Sequence, residues 1–155
     1  MQFEFLFPGK TKETYIANGI DEYLKRLRHF VPAKIRIIKE KHRPTTKQSS
    51  KNIAVHQNIL DQVQKGSYLI ILDMKGKLLN SEDLAGLITK WQDEAKNHIT
   101  FVVGGHLGVP AEILKKAGLV ISLSPMTFTH DMARLLLIEQ LYRGFTIMAG
   151  SGYHK

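Results

Sequence analysis

The sequence predicts an α/β sandwich built around a largely parallel sheet, and three observations predict it. Strand-length apolar runs alternate with helix-length amphipathic stretches along the whole chain. The central runs, Tyr68 to Leu72 and Ile99 to Val103, are continuously apolar, as expected of parallel strands covered on both faces. Those two runs end abruptly, in Asp73 and in Gly104-Gly105. Abrupt strand ends are where open parallel sheets place ligand crevices.

Each element has its own justification. Gln2 to Phe7 is a short apolar run stopped by Pro8-Gly9. A helix is expected from about Lys12 to Arg28, because Tyr15, Ile16, Ile20, Tyr23, Leu24 and Leu27 recur at helical spacing. Ala33 to Ile38 alternates Ile with Lys or Arg, the period of a half-exposed strand. Lys41 to Asn52 is polar, basic and without periodicity, and reads as a loop. Ile53 to Val63 reads as a helix with Ile59, Leu60 and Val63 inward and Gly66 as its stop. After the strand Tyr68 to Leu72, Asn80 or Ser81 can cap a helix running to about Lys96, with Glu82 and Asp83 at its positive end. Beyond Ile99 to Val103, Pro110 opens a helix that Gly118 stops. Leu119 to Leu123 is the last strand.

The last strand opens into LSPMTFTHDMARLLLIEQLYRGF, Leu123 to Phe145, a turn-rich loop entering an almost wholly apolar helix. The loop reads as a ligand wall and the helix as a core pillar. Thr127 and Thr129 are both fit to cap it, Asp131 suits its positive end, and Glu139 and Arg143 can pair four residues apart. Arg134 is a permanent cation in a helix otherwise built for burial, so it needs a partner. That partner is either a structural carboxylate or an anion or nucleic acid.

Composition sets the limits. A length of 155 residues suits a single domain over 1–155. The formal charge of +8 points toward a polyanion such as nucleic acid. The chain has no cysteine, which excludes disulfides and thiolate chemistry. Its seven histidines fall in no HExxH pattern, so no metal is expected. The start MQFEFLFPGK lacks the features of a signal peptide and no apolar run approaches a membrane span, so a cytoplasmic protein without membrane insertion is expected. GGHLG lacks the GxGxxG spacing and no Walker A sequence occurs, which leaves nucleotide binding by those motifs unsupported. The strand ends Leu72-Asp73, Gly104-Gly105 and Leu123 to Phe128 are the places where chemistry is expected.

FVVGGHLG, the stretch LSPMTFTHDMARLLLIEQLYRGF and the terminal GYHK together resemble the bacterial RlmH-type rRNA methyltransferases of the SPOUT superfamily. GKTK, EYLKRL and LDMKGKLLNSEDLA extend the resemblance over nearly the full length. The chain departs from the family in a more basic Lys41 to Asn52 and in His106. The resemblance implies a trefoil-knotted α/β fold, a homodimer, and S-adenosylmethionine held by Leu72, Gly104 and the loop Leu123, Ser124, Pro125, Met126, Thr127 and Phe128. It implies methylation at N3 of a pseudouridine in large-subunit ribosomal RNA within the assembled ribosome. It further implies a C-terminal tail ordered near the cofactor pocket of the dimer partner. From there, Tyr153 and His154 are expected to position or deprotonate the base, and Arg143 and Lys155 to contact phosphate. Attack by a nitrogen needs no covalent thiolate step, which agrees with the missing cysteine. The alternatives are a related enzyme acting on tRNA or another rRNA site, and a non-catalytic protein that binds RNA or the ribosome.

Overall fold

A computed structural model describes residues 1–38, 58–104 and 109–153. The basic stretch Lys41 to Asn52, the start of the expected helix Ile53 to Val63, the glycine-containing residues 105–108, and His154 and Lys155 lie outside the described residues. The elements in chain order are β1 (Gln2–Pro8), α1 (Thr14–Leu27), β2 (Ala33–Ile38), β3 (Tyr68–Leu78), α2 (Ser81–Asp93), β4 (His98–Val103), α3 (Ala111–Leu114), β5 (Leu119–Ser122) and α4 (His130–Met148).

The five strands form one sheet in the order β2-β1-β4-β3-β5, and every pairing is parallel. Alternation along the strands divides two apolar layers. Phe3, Phe5, Phe7 and Phe101 face α1, α2 and α4, where Ile20, Leu24, Ile88, Trp91, Leu137, Ile138 and Leu141 meet them. Leu6, Ile71 and Val102 face the other way, onto Ile59, Val109 and Ile113. Each such side chain removed from water contributes about 1.5–3 kcal/mol, which fixes the strand register against a one-residue slip. Phe5 sits in register with Ile35 on one side and Phe101 on the other. The rings of Phe5 and Phe101 stack at 5.2 Å.

Two elements differ from expectation for identifiable reasons. β3 does not stop at Asp73: after a register shift between Leu72 and Lys77 it pairs with β5 again, up to Leu78. Gly76 makes this possible, since a Cβ there would lie 2.4 Å from the Ile121 carbonyl carbon. The helix expected from Pro110 to Gly118 is helical only over α3. Its continuation tightens through bonds from Lys116 N to Ile113 O and Ala117 N to Leu114 O, so that Gly118 N can reach Leu69 O at 2.9 Å and start β5 beside β3. α2 ends at Asp93 rather than near Lys96, because Ala95 adopts a left-handed φ of 52° and Lys96 N closes onto Trp91 O. At its start, Asn80 is the cap and forms a reciprocal capping box with Asp83.

α4 is held on two sides. Leu135 packs on Gly19 of α1, and Gly144 lets Ile88 and Ala85 of α2 approach closely. Its first turn is fastened by the ion pair Arg134–Asp131, at 3.0 Å, with the two side chains 0% and 6% exposed. Arg134 also donates to Pro8 O and Thr11 Oγ1 and lies over the Phe7 ring, while Asp131 accepts from Lys12 N. The structural alternative for Arg134 is therefore the one realised: it ties the start of α4 to the link between β1 and α1.

Candidate active site

Because the strands are parallel, β3, β4 and β5 end on the same edge of the sheet, and their three exits enclose a cleft of about 320 Å³. Leu72 and Gly104 form its floor, joined by a bond from Gly104 N to Leu72 O at 3.3 Å. Leu123, Ser124, Met126, Thr127 and Phe128 form one wall. Pro125 belongs to the same loop but does not line the cleft. Seven of the eight residues expected to hold a cofactor thus converge on one space.

The wall is shaped by short-range bonds. Ser122 Oγ donates to Ser124 O, and Met126 N donates to Ser124 Oγ at 2.9 Å, a turn closed by a side chain. Thr129, rather than Thr127, caps α4 by accepting from Met132 N. Thr127 is left to face the cleft, its hydroxyl 3.9 Å from Met74 Sδ. Met126 is 72% exposed and Met74 65% exposed. Apolar side chains held open beside a cleft are available to a ligand, and core packing does not account for them.

Asp73, marked with Leu72 as a strand end where chemistry is expected, also lines the cleft, as do Met74, Thr129, His130 and Ala133, which sequence reasoning did not place there. The position of Asp73 directly after a buried strand was a usable signal. Met74 was not legible, because its place depends on the irregularity in β3. A second cavity of about 420 Å³ shares the Ser122, Leu123 and Phe128 wall and reaches Ser81 and Gln140, whose side chains bond at 2.7 Å. Among the described residues no group of three or more His, Cys, Asp or Glu could hold a metal ion.

The described part of the C-terminal tail lies elsewhere. Tyr153 folds back on its own chain: its hydroxyl donates to Glu139 Oε1 at 3.0 Å and lies 3.1 Å from the Tyr23 hydroxyl. Its ring meets Tyr142 edge-on and carries the Arg143 guanidinium at 4.7 Å. Burial, and then the bonds to Tyr23 and Glu139, push the Tyr153 hydroxyl well above the usual tyrosine range. Arg143 is bound to Glu139 at 2.7 Å, as its spacing suggested, and its side chain is 26% exposed. Glu139 stands nine residues beyond His130 on α4, so Tyr153 sits roughly 13 Å along the helix from the turn that lines the cleft. Tyr153 and the cleft of the same chain are therefore separate.

Among the described residues no helix is long and apolar enough to cross a membrane. The family model described as "Predicted SPOUT methyltransferase" matches residues 1–154. The ribosomal RNA large subunit methyltransferase H of Desulfotalea psychrophila is 41% identical over 155 residues, all of both chains. That of Halothermothrix orenii is 40% identical over 159 aligned positions, again all of both chains. The fold is shared with a probable methyltransferase from Bordetella pertussis, at TM-score 0.54 and 10% identity, covering 92% of this chain and 95% of that one. The parallel sheet, the cleft at its strand ends and the full-length match agree, and the chain belongs to the SPOUT methyltransferase family.

Proposed function

We propose that the chain transfers a methyl group from S-adenosylmethionine to N3 of a pseudouridine in large-subunit ribosomal RNA, acting in the cytoplasm on the assembled ribosome. The observation that carries this reading is the convergence of Leu72, Gly104 and the Leu123 to Phe128 loop on one cleft. The residues present fit the cofactor. About 320 Å³ lies within the range of small-molecule sites, Leu72, Leu123 and Phe128 supply apolar walls, and Gly104 presents backbone without a side chain. Backbone groups of the loop would read the adenine edge.

The bound cofactor supplies an electrophilic methyl group on a sulfonium. The chain's own residues have to orient the base, keep water out and deal with the N3 proton. Tyr153, kept protonated by burial and by its bonds to Tyr23 and Glu139, serves to position the base rather than to deprotonate it. His154, whose side-chain class titrates near neutrality, serves as the proton acceptor. Arg143 and Lys155 contact phosphate. We also propose a trefoil-knotted fold and a homodimer; the separation of Tyr153 from its own cleft supports an arrangement in which each tail serves the other copy's cleft.

The test is transfer of labelled methyl to ribosomes lacking the modification, with assembled particles and free large subunits compared and the product mapped. Label at N3 of a pseudouridine, lost on removing the last three residues while cofactor binding persists, is the expected result. Label on tRNA or another rRNA position would keep the reaction class and reject the substrate. A protein that binds RNA but no cofactor would reject the enzyme.

A further inference from the structure

We infer that Asp73 is a positioning residue for the cofactor cleft, acting through the backbone and without touching the reacting atoms. The inference rests on the methyl-transfer reading above. Asp73 lines the cleft, yet its carboxylate is turned onto the backbone: Oδ2 accepts from Val109 N at 2.9 Å and Oδ1 from Lys75 N at 3.0 Å. A carboxylate accepting backbone N–H groups makes charge-assisted bonds, stronger than neutral ones.

The two bonds act on two walls. The bond to Lys75 N closes the turn with which β3 leaves its pairing at Leu72 before rejoining β5 at Lys77. That turn sets Met74 beside Thr127 at the cleft mouth. The bond to Val109 N fixes the backbone just ahead of α3. Val109 is 4% exposed and packed with Ile71, Val102 and Ile113. The neighbouring residue Leu72 accepts from Gly104 N, just past β4. Consecutive residues of β3 therefore hold Gly104 and Val109, Leu72 through its carbonyl and Asp73 through its side chain. Adjacent backbone anchors of this kind set where Val109 and Met74 stand relative to the floor made by Leu72 and Gly104.

A rival role for the same carboxylate is direct attraction of the sulfonium charge, and two ligands separate the roles. Binding of S-adenosylmethionine and of the uncharged thioether S-adenosylhomocysteine is measured by calorimetry for the wild-type chain, Asp73→Asn and Asp73→Ala. Asparagine keeps one acceptor and sets an amide donor against a backbone N–H. Losing about one net charge-assisted bond lowers affinity for both ligands by the same factor, about tenfold, in Asp73→Asn. At saturating cofactor kcat stays near wild type while the KM for cofactor rises. Loss confined to the charged ligand, or no loss for either, would overturn the positioning role.

Hydrogen exchange gives a readout without cofactor. The Val109 and Lys75 amides of the wild-type protein are protected, and both lose protection in Asp73→Ala. Exchange of Val109 at the unprotected rate in the wild-type protein would also overturn the inference. A wild-type chain that binds neither ligand would defeat the methyl-transfer reading itself, a result distinct from unchanged binding in the variants.

Discussion

Two residues that sequence could only mark as unusual, Arg134 and Tyr153, acquire definite roles from their partners. Arg134 is fully buried and its charge is met by Asp131, Pro8 O and Thr11 Oγ1. Removing one member of such a pair leaves the other charge buried, at a cost of roughly 3–5 kcal/mol. Arg134→Ala is therefore expected to lose that much stability in urea unfolding. The double change Arg134→Met with Asp131→Asn is expected to lose distinctly less, since neither charge is stranded. Equal losses would mean that the bonds to Pro8 and Thr11 matter more than charge balance. Tyr153 gives a prediction in pH. Its folded pKa lies above the unfolded value, so the stability it contributes is fully present below about pH 10 and is lost as pH rises through the folded value. Between about pH 10 and the folded value, the unfolded chain has given up a proton that the folded chain keeps. Melting temperature should fall more steeply above about pH 10 in the wild-type protein than in Tyr153→Phe. Parallel curves would show that the hydroxyl is not held as described.

At the scale of elements, β3 decides both the cleft and the limits of sequence reading. Its first half was legible as a buried parallel strand from composition alone, and Leu72 was legible as its end. The second half was not, because Asp73 and Gly76 are turn residues in any local reading. Only the presence of β5 alongside converts them into a side-chain clamp and a close passage. Gly76→Ala tests this. The added Cβ would meet Ile121 backbone atoms at 2.4–2.7 Å, which neither strand can absorb without moving. A loss of about 1–3 kcal/mol is expected, as for overpacked cores. Since Ile121 leads directly into the Ser122 and Leu123 wall, cofactor affinity should fall with it. Stability lost with affinity unchanged would show that the wall is independent of the pairing. α4 illustrates the opposite case. Its cap, its Glu139–Arg143 pair and its multi-sided burial follow from spacing, and the choice of Thr129 over Thr127 as cap follows from which hydroxyl reaches Met132 N. Replacing Thr129 by Ala should cost about 1 kcal/mol, measured in the same unfolding experiment.

For the whole molecule, the order of strands and helices along the chain was enough to predict layers and a parallel sheet. It was not enough to give the strand order, which depends on which apolar faces match in three dimensions. The site was legible because parallel strands must all end on one edge, which turns three separated sequence positions into neighbours. The tail was legible only as a terminal Tyr-His-Lys, and its anchoring to Glu139 and Tyr23 is a tertiary fact. Charge is the remaining property of the molecule as a whole. The formal excess of +8 lies mostly in the residues up to Lys65, and several described ion pairs are loose. Lys34 with Glu4, Arg26 with Glu22 and Lys90 with Glu94 leave the basic partner 43–65% exposed. Pairs this exposed contribute about 0–1 kcal/mol, so their cations can exchange a carboxylate for a phosphate at little cost. Binding of ribosomal RNA should then release counterions, whereas an apolar cleft holding a small cofactor should not. Raising salt from about 50 to 200 mM is expected to weaken RNA binding on the order of a hundredfold if about four phosphates are engaged. Cofactor affinity over the same range should change by less than about threefold. If both affinities fell together, the charge would be acting on the fold rather than on the RNA. If neither fell, docking would rest on shape and base contacts, and the basic surface would have no part in it.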